Sequence, residues 1–244
     1  MKLIPEFLST CCRCGVSACL AFVLPFMLLS DDGLDEPDNG LNDPETEVMP
    51  IIDLSSYAEP VFQDVSVHDP SVVQAGEHFY VFGSHLAAAR TNDWMVWESV
   101  ADGVNVRNPL FSNAFLELAE TFVWAQTRTL WAADVFQGSD GLFRFYYNAC
   151  SGDSPRSALG MAVSDDINGP YRDQGIMLRS GMWGKTSEDG VRIYDASVHP
   201  NVVDPDVFED VEGKIWMVYG SYSGGLFILE IDADTGLPLP GQGY

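Results

Sequence analysis

Between residues 66 and 232 the chain alternates short apolar runs with polar turns, and the runs follow a period of two rather than 3.6. The pattern repeats. "DPSVVQAGEHFYVFGS" (69–84), "ADVFQGSDGLFRFYYN" (133–148) and "DPDVFEDVEGKIWMVYGS" (204–221) each hold an aspartate, a valine-containing apolar pair, a glycine turn and a run of aromatic and aliphatic residues. A short run, a turn at Gly76, Gly141 or Gly213, and a second run of period two predict a β-hairpin in each copy. Third strands follow at 158–166, "ALGMAVSDD", and at 224–232, "GGLFILEID". Helical spacing is confined to 111–126, "FSNAFLELAETFVWAQ", which predicts a short helical turn.

Small antiparallel sheets repeated along a chain predict an all-β fold of the β-propeller type, in which blades pack on one another around an axis. A β-sandwich is the competing architecture for the same strands. Residues 49–244 have room for about three blades, whereas propellers close with about 4 to 8. The chain therefore reads as the N-terminal part of a propeller, with "TGLPLPGQGY" at its end as a linker.

Charge narrows the partners. The 36 acidic residues outnumber the 12 basic ones, for a formal net charge of -24. Only Lys2, Lys185 and Lys214 are lysines. With no basic stripe to displace phosphate counterions, nucleic acid is excluded as a partner. A neutral or cationic partner fits better, because an anionic polymer would be repelled.

The first residues differ from the rest. Lys2 and Arg13 precede an uncharged run from Gly15 to Ser30, so 1–30 reads as an export signal or a membrane anchor, the only route to a membrane. Residues 31–48, acidic and interspersed with Pro and Gly, read as a disordered spacer. Cys11, Cys12, Cys14 and Cys19 all lie in the leader, which leaves Cys150 in the body and a fold held by packing rather than by internal disulfides.

Asp69 and Asp204 precede Pro in equivalent copies, and Asp134 marks the third copy without Pro. At the start of each blade's inner strand a side chain can point at the axis, so Asp69 and Asp204 can meet despite their separation in sequence. Paired carboxylates in one pocket suit glycosidic hydrolysis, in which one activates water and another protonates the leaving oxygen. A single Asp-Pro reads more simply as a turn cap; two copies leading into the same strand favour the shared pocket.

"VHDPSVV", "HFYVFGSH", "LWAADVF", "ALGMAVSDDINGPYRDQG" and "NVVDPDVFEDVEGKIWMVYGSYSGG" together resemble glycoside hydrolase family 43, whose members are five-bladed β-propellers. The resemblance runs from about Ser66 to Leu237. It implies that Asp69 is the general base of an inverting hydrolase and that Asp204 tunes and orients the acid. The family's acid is a glutamate in a Glu-Gly-Pro-like motif on a later blade. No such motif occurs here, and Glu120 and Glu188 stand in other settings.

Trp131, in "LWAADVF", matches the family's Trp-Ala-Pro-Asp element and is the leading candidate to stack on a sugar ring, while His85 and Ser221, at equivalent strand ends, are candidates to face the channel. Trp94, Trp97 and Trp124 are weaker aromatic candidates, the first two read as packing of an outer strand. His68 reads as a support for the Asp69 loop, Arg90 as a surface ion pair and His199 as a loop residue. The resemblance implies plant cell-wall polysaccharide as substrate, with arabinan ahead of xylan. It requires no cofactor and allows a calcium ion in the channel of a complete propeller. A non-catalytic sugar-binding propeller, or a fragment without activity, is the alternative from another class.

Overall fold

The alternating runs form the predicted hairpins, and each hairpin grows into a sheet. The computed structural model describes residues 61–152, 154–181 and 193–242, all within one unit of the chain, Ser56–Tyr244. The leader at 1–30, the spacer at 31–48 and Glu188 lie outside the described residues. The first blade holds β1 (Ser71–Ala75), β2 (His78–Gly83), β3 (Ala87–Thr91) and β4 (Glu98–Ala101) in that order. The second holds β5 (Asp134–Gln137), β6 (Phe143–Ser151), β7 (Ser154–Ser164) and β8 (Arg172–Arg179). In the third, β9 (Asp206–Glu209), β10 (Ile215–Ser221) and β11 (Ser223–Ile231) pair in sequence.

All of these pairings are antiparallel. The predicted glycines make the tight turns, with φ of 60° at Gly76 and 81° at both Gly141 and Gly213. Each blade begins with the strand at one edge of its sheet, and β1, β5 and β9 pack beside one another. That arrangement is the propeller's, with the inner strands gathered at the axis.

The middle blade fixes the packing. Every residue of β6 from Phe143 to Cys150 is buried, because a sheet between two others has both faces covered. Its alternation then decides which neighbour each side chain meets. Phe143, Phe145, Tyr147 and Ala149 enter the core shared with the first blade, whereas Tyr146 enters the core shared with the third. Phe145 meets Phe82 and Phe111 edge-on, with ring centroids 5.8 Å and 5.9 Å away. Each large side chain buried in this way contributes about 1.5–3 kcal/mol.

The helical segment between the first two blades splits into α1 (Ala114–Glu117) and α2 (Ala119–Ala125). Asn113 caps α1 by accepting from the N–H groups of Phe115 and Leu116, and Glu117 returns a bond to the Asn113 N–H at 3.0 Å. Ala114, Leu118, Phe122 and Ala125 carry the buried face of this pair into the first core. The segment read as a terminal linker also packs. Arg144 donates to the Asp234 carbonyl at 2.9 Å and the Tyr146 hydroxyl to that of Gly236 at 3.1 Å, fastening this turn over the middle blade.

Truncating Phe145 to Ala should destabilise the protein by about 3–5 kcal/mol, the usual range for a large aromatic lost from a core. Chemical denaturation of both proteins measures it; a loss below about 1 kcal/mol would show that the blades do not depend on this contact.

Candidate active site

Two loops of the same construction bring Asp69 and Asp204 to one place. Asp69 has φ of 51° and Asp204 φ of 53°, both in the left-handed region that non-glycine residues seldom occupy. Each precedes its inner strand by two residues and hydrogen-bonds to a serine that follows a glycine near the end of the paired strand. The Ser84 hydroxyl donates to Asp69 Oδ2 at 2.8 Å, and Ser221 bonds to the Asp204 carboxylate. The backbone repeats the pattern, with the Ser84 N–H on the His68 carbonyl at 2.9 Å and the Gly220 N–H on that of Val203 at 2.8 Å. Gly83 is required here, since a Cβ would run into the His68 carbonyl oxygen.

The carboxylates differ in setting. Asp69 is exposed, and His68 Nδ1 lies 2.7 Å from its Oδ2. Asp204 is half-buried, and its pKa is raised, first by desolvation and then by the negative charge of Asp69, against the opposing hydrogen bond from Ser221. Asp204 thus senses the charge of Asp69 across the cleft they share.

Asp134, aligned with these two by sequence, lies elsewhere. It is the first residue of β5, in register with Ser71 and Asp206, which begin β1 and β9. The residue two places earlier, Ala132, occupies the position of Asp69 and Asp204. The backbone bond there runs the other way: the N–H of Trp131 donates to the Asn148 carbonyl at 3.1 Å, whereas Ser84 and Gly220 of the paired strands donate to the carbonyls of His68 and Val203. The middle blade thus brings an alanine to the cleft, and Asp134 is buried behind it at 5% exposure. Asn148, at the place of Ser84, donates to the Ala132 carbonyl instead of to a carboxylate.

The cleft has a volume of about 680 Å³ and is lined by the 68–71, 84–85, 131–133 and 204–206 segments and by Tyr222. Trp131 and Tyr222 meet across it edge-on, with centroids 6.2 Å apart. His85 lines it from a 3-10 turn at Ser84–Leu86, with φ of 63°, and its N–H reaches the Leu130 carbonyl at 2.9 Å, tying the first blade's rim to the Trp131 loop. Ser221 contacts Asp204. Tyr222 was missed among the sequence candidates; it is 87% exposed with φ of 60°, and the aromatic of the "GSYSGG" run was its signal.

The other candidates lie outside the cleft. Glu120 pairs with Arg179 at 2.5 Å. The Trp124 indole N–H bonds to the Ser157 carbonyl, and Arg156 lies over its ring at 4.4 Å. Trp94 corrects an expectation: it occupies a turn before β4, is 51% exposed, and stacks on Phe79 at 4.4 Å and against Trp97 at 5.9 Å. Thr91 and Asp93 form that turn by accepting backbone N–H groups, so the segment is not an outer strand. Arg90 pairs with Glu98 at 2.9 Å, and His199 Nδ1 accepts from the Asp195 N–H within a loop. Among the described residues no group of three or more His, Cys, Asp or Glu is arranged to hold a metal ion.

Blades of this kind, with Asp-Pro loops converging on an open cleft flanked by aromatics, define a carbohydrate-active propeller. The family profile described as "Glycosyl hydrolases family 43" matches residues 57–240, and the chain belongs to that family. It is 61% identical over 191 residues to the extracellular endo-α-(1→5)-L-arabinanase 2 of Bacillus subtilis, with 78% of this chain and 40% of that protein aligned. An extracellular endo-α-(1→5)-L-arabinanase of Thermotoga petrophila is 50% identical, with 76% and 40% aligned. The crystal structure of a family 43 protein from Bacillus licheniformis superposes with a TM-score of 0.73 at 61% identity, covering 76% of this chain and 42% of that one. The chain thus spans about 40% of the length of the curated relatives it matches.

Replacing Asp69 with Asn should lower the Asp204 pKa, since a like charge beside a carboxylate disfavours its ionised form. Carboxyl carbon NMR titration of the wild type and D69N compares them. An unchanged Asp204 titration would mean that the two carboxylates do not interact.

Proposed function

We propose that this chain carries the water-activating and acid-orienting carboxylates of an exported, inverting glycoside hydrolase that cleaves 1,5-α-linked arabinan internally. The observation that carries the reading is the pair of Asp-Pro aspartates, both at positive φ, that face one cleft beside Trp131 and Tyr222. The names of the relatives from Bacillus subtilis and Thermotoga petrophila support arabinan over xylan or isolated arabinofuranosyl branches. The reading concerns the full-length protein, since those relatives are aligned over 40% of their length.

The exposed Asp69 takes a proton from water as the water oxygen attacks the anomeric carbon opposite the leaving group. The glycosidic oxygen departs with a proton from the acid, which by resemblance is a glutamate on a later blade. An inverting pair stands about 6.5–9.5 Å apart, which leaves room for the water. Asp204, held half-buried by the second loop, orients that acid and keeps its proton in place through its own negative charge. Trp131 and Tyr222 offer ring faces and edges to the pentose units, and His85 a polar contact at the rim. The nucleophile is water and the proton carriers are carboxyl groups, so the reaction as proposed needs no cofactor.

The same proposal places the protein outside the cell, with 1–30 directing export or anchoring and 31–48 as spacer. Both relatives are named as extracellular proteins.

The test is hydrolysis of linear 1,5-α-arabinan by the full-length protein, followed by proton NMR of the first product formed. Inverted configuration and internal cleavage are expected, and a drop in kcat of about 10²–10⁴-fold in D69N, the usual contribution of a general base. Retained configuration, or D69N turnover equal to wild type, would overturn the assignment.

A further inference from the structure

The carboxylate that the repeat brings to the middle blade without exposing it has a separate task. Asp134 Oδ1 accepts the Ser71 hydroxyl at 2.5 Å, and Oδ2 accepts the Val207 N–H at 2.8 Å. Ser71 opens β1 two residues after Asp69, and Val207 lies in β9 three residues after Asp204. One buried side chain therefore grips both strands that carry the cleft carboxylates, and it does so from the strand between them.

Each contact has a physical reason. β9 is the edge of its sheet, so an N–H turned away from β10 finds no partner strand and needs another acceptor. An ionised carboxylate has acceptors for both donors and is shorter-bonded than a neutral group would be. Burial above all, with the neighbouring Asp206, raises its pKa against the hydrogen bonds from Ser71, Val207 and Val135, which favour the charge. A buried carboxylate is disfavoured by its surroundings unless it makes such bonds, so packing alone does not account for an Asp at this position.

The geometry points to Asp134 as a positioning residue that sets the separation of Asp69 and Asp204 by clamping β1 to β9. This rests on the proposed roles of those two residues for its effect on catalysis, although the clamp itself can be measured without turnover. Asp134 does not line the cleft, so loosening the clamp acts first on the placement of the base and of the carboxylate that orients the acid.

The experiment uses the full-length protein with S71A, D134N and the double variant, together with S71T. S71A removes the hydroxyl and D134N exchanges one of the two acceptor oxygens for an amide NH2, so both changes act on the same pair of contacts and should not add. S71T keeps the hydroxyl and should restore activity, which a purely steric role for Ser71 does not predict. With arabinan, kcat should fall about 10–100-fold in both single variants with KM nearly unchanged, the scale of a sub-ångström to 1 Å misplacement of reacting groups. In parallel, the drop in Asp204 pKa on adding D69N should shrink in the S71A background, because the carboxylates are no longer held together.

A loss confined to KM, additive single effects, or an undiminished Asp69–Asp204 coupling in S71A would overturn the clamp. If wild-type protein leaves arabinan intact while the coupling still weakens in S71A, the clamp stands and the proposed substrate falls. If arabinan is hydrolysed and S71A and D134N match wild type in kcat and coupling, the substrate stands and the clamp falls. A D134N protein that does not fold leaves S71A against S71T to decide.

Discussion

The burial of both faces of the middle blade is the constraint on which the rest depends. A sheet with water on one side can twist or slip to suit its single core, but β6 has the first blade on one face and the third on the other. Phe145 and Tyr147 face one way and Tyr146 the other, so a one-residue slip would exchange two differently shaped cores at once. The angle between neighbouring blades is thereby fixed by side-chain volume. The inner strands converge only because those angles are fixed.

On that frame, the two Asp loops hold a conformation that an isolated peptide would avoid. A non-glycine residue in a sparsely populated backbone region costs of order 1–3 kcal/mol, and both Asp69 and Asp204 are there. Each is held from the paired strand, by a backbone N–H onto the preceding residue and by a serine onto the carboxylate. Ala132, at the same place on the middle blade, has no carboxylate to hold, and Asn148 there turns to a backbone carbonyl. Repetition has supplied three versions of one loop, of which two bring charge to the cleft.

Much of this was legible in sequence because local rules decided it. The glycine turns at Gly76, Gly141 and Gly213, the capped helical segment after Asn113, and the convergence of Asp69 and Asp204 all follow from period, turn chemistry and repetition. The error at Asp134 has a physical source. Matching the letter Asp across copies shifted the middle repeat by two residues, and a shift of two leaves a strand's faces unchanged. Periodicity cannot detect such a slip; only the strand pairing, which begins β5 at Asp134, reveals it. The outer-strand reading of Trp94 came from the family resemblance, and here Thr91 and Asp93 take the N–H groups of that stretch into a turn. Tyr222 was overlooked because its exposure depends on a left-handed residue beyond the end of β10, which no pattern of hydrophobicity announces.

If the cleft takes sugar as proposed, the charge around it bears on which sugars fit. Among the described residues its lining includes Asp69, Asp204 and Asp206 with His68 and His85, and no Lys or Arg. Two like charges about 4 Å apart repel by about 1 kcal/mol in bulk water and by several times that near a protein surface. On the proposed reading, a uronic acid unit entering this cleft would meet such repulsion from more than one side, with no Lys or Arg among the described lining residues to offset it. A neutral pentose meets none, and the aromatic rings of Trp131 and Tyr222 attract its C–H faces without regard to charge. The acidic excess of the whole sequence thus has a local counterpart in the cleft. On the proposed reading, that charge favours neutral chains over acidic ones at the two carboxylates.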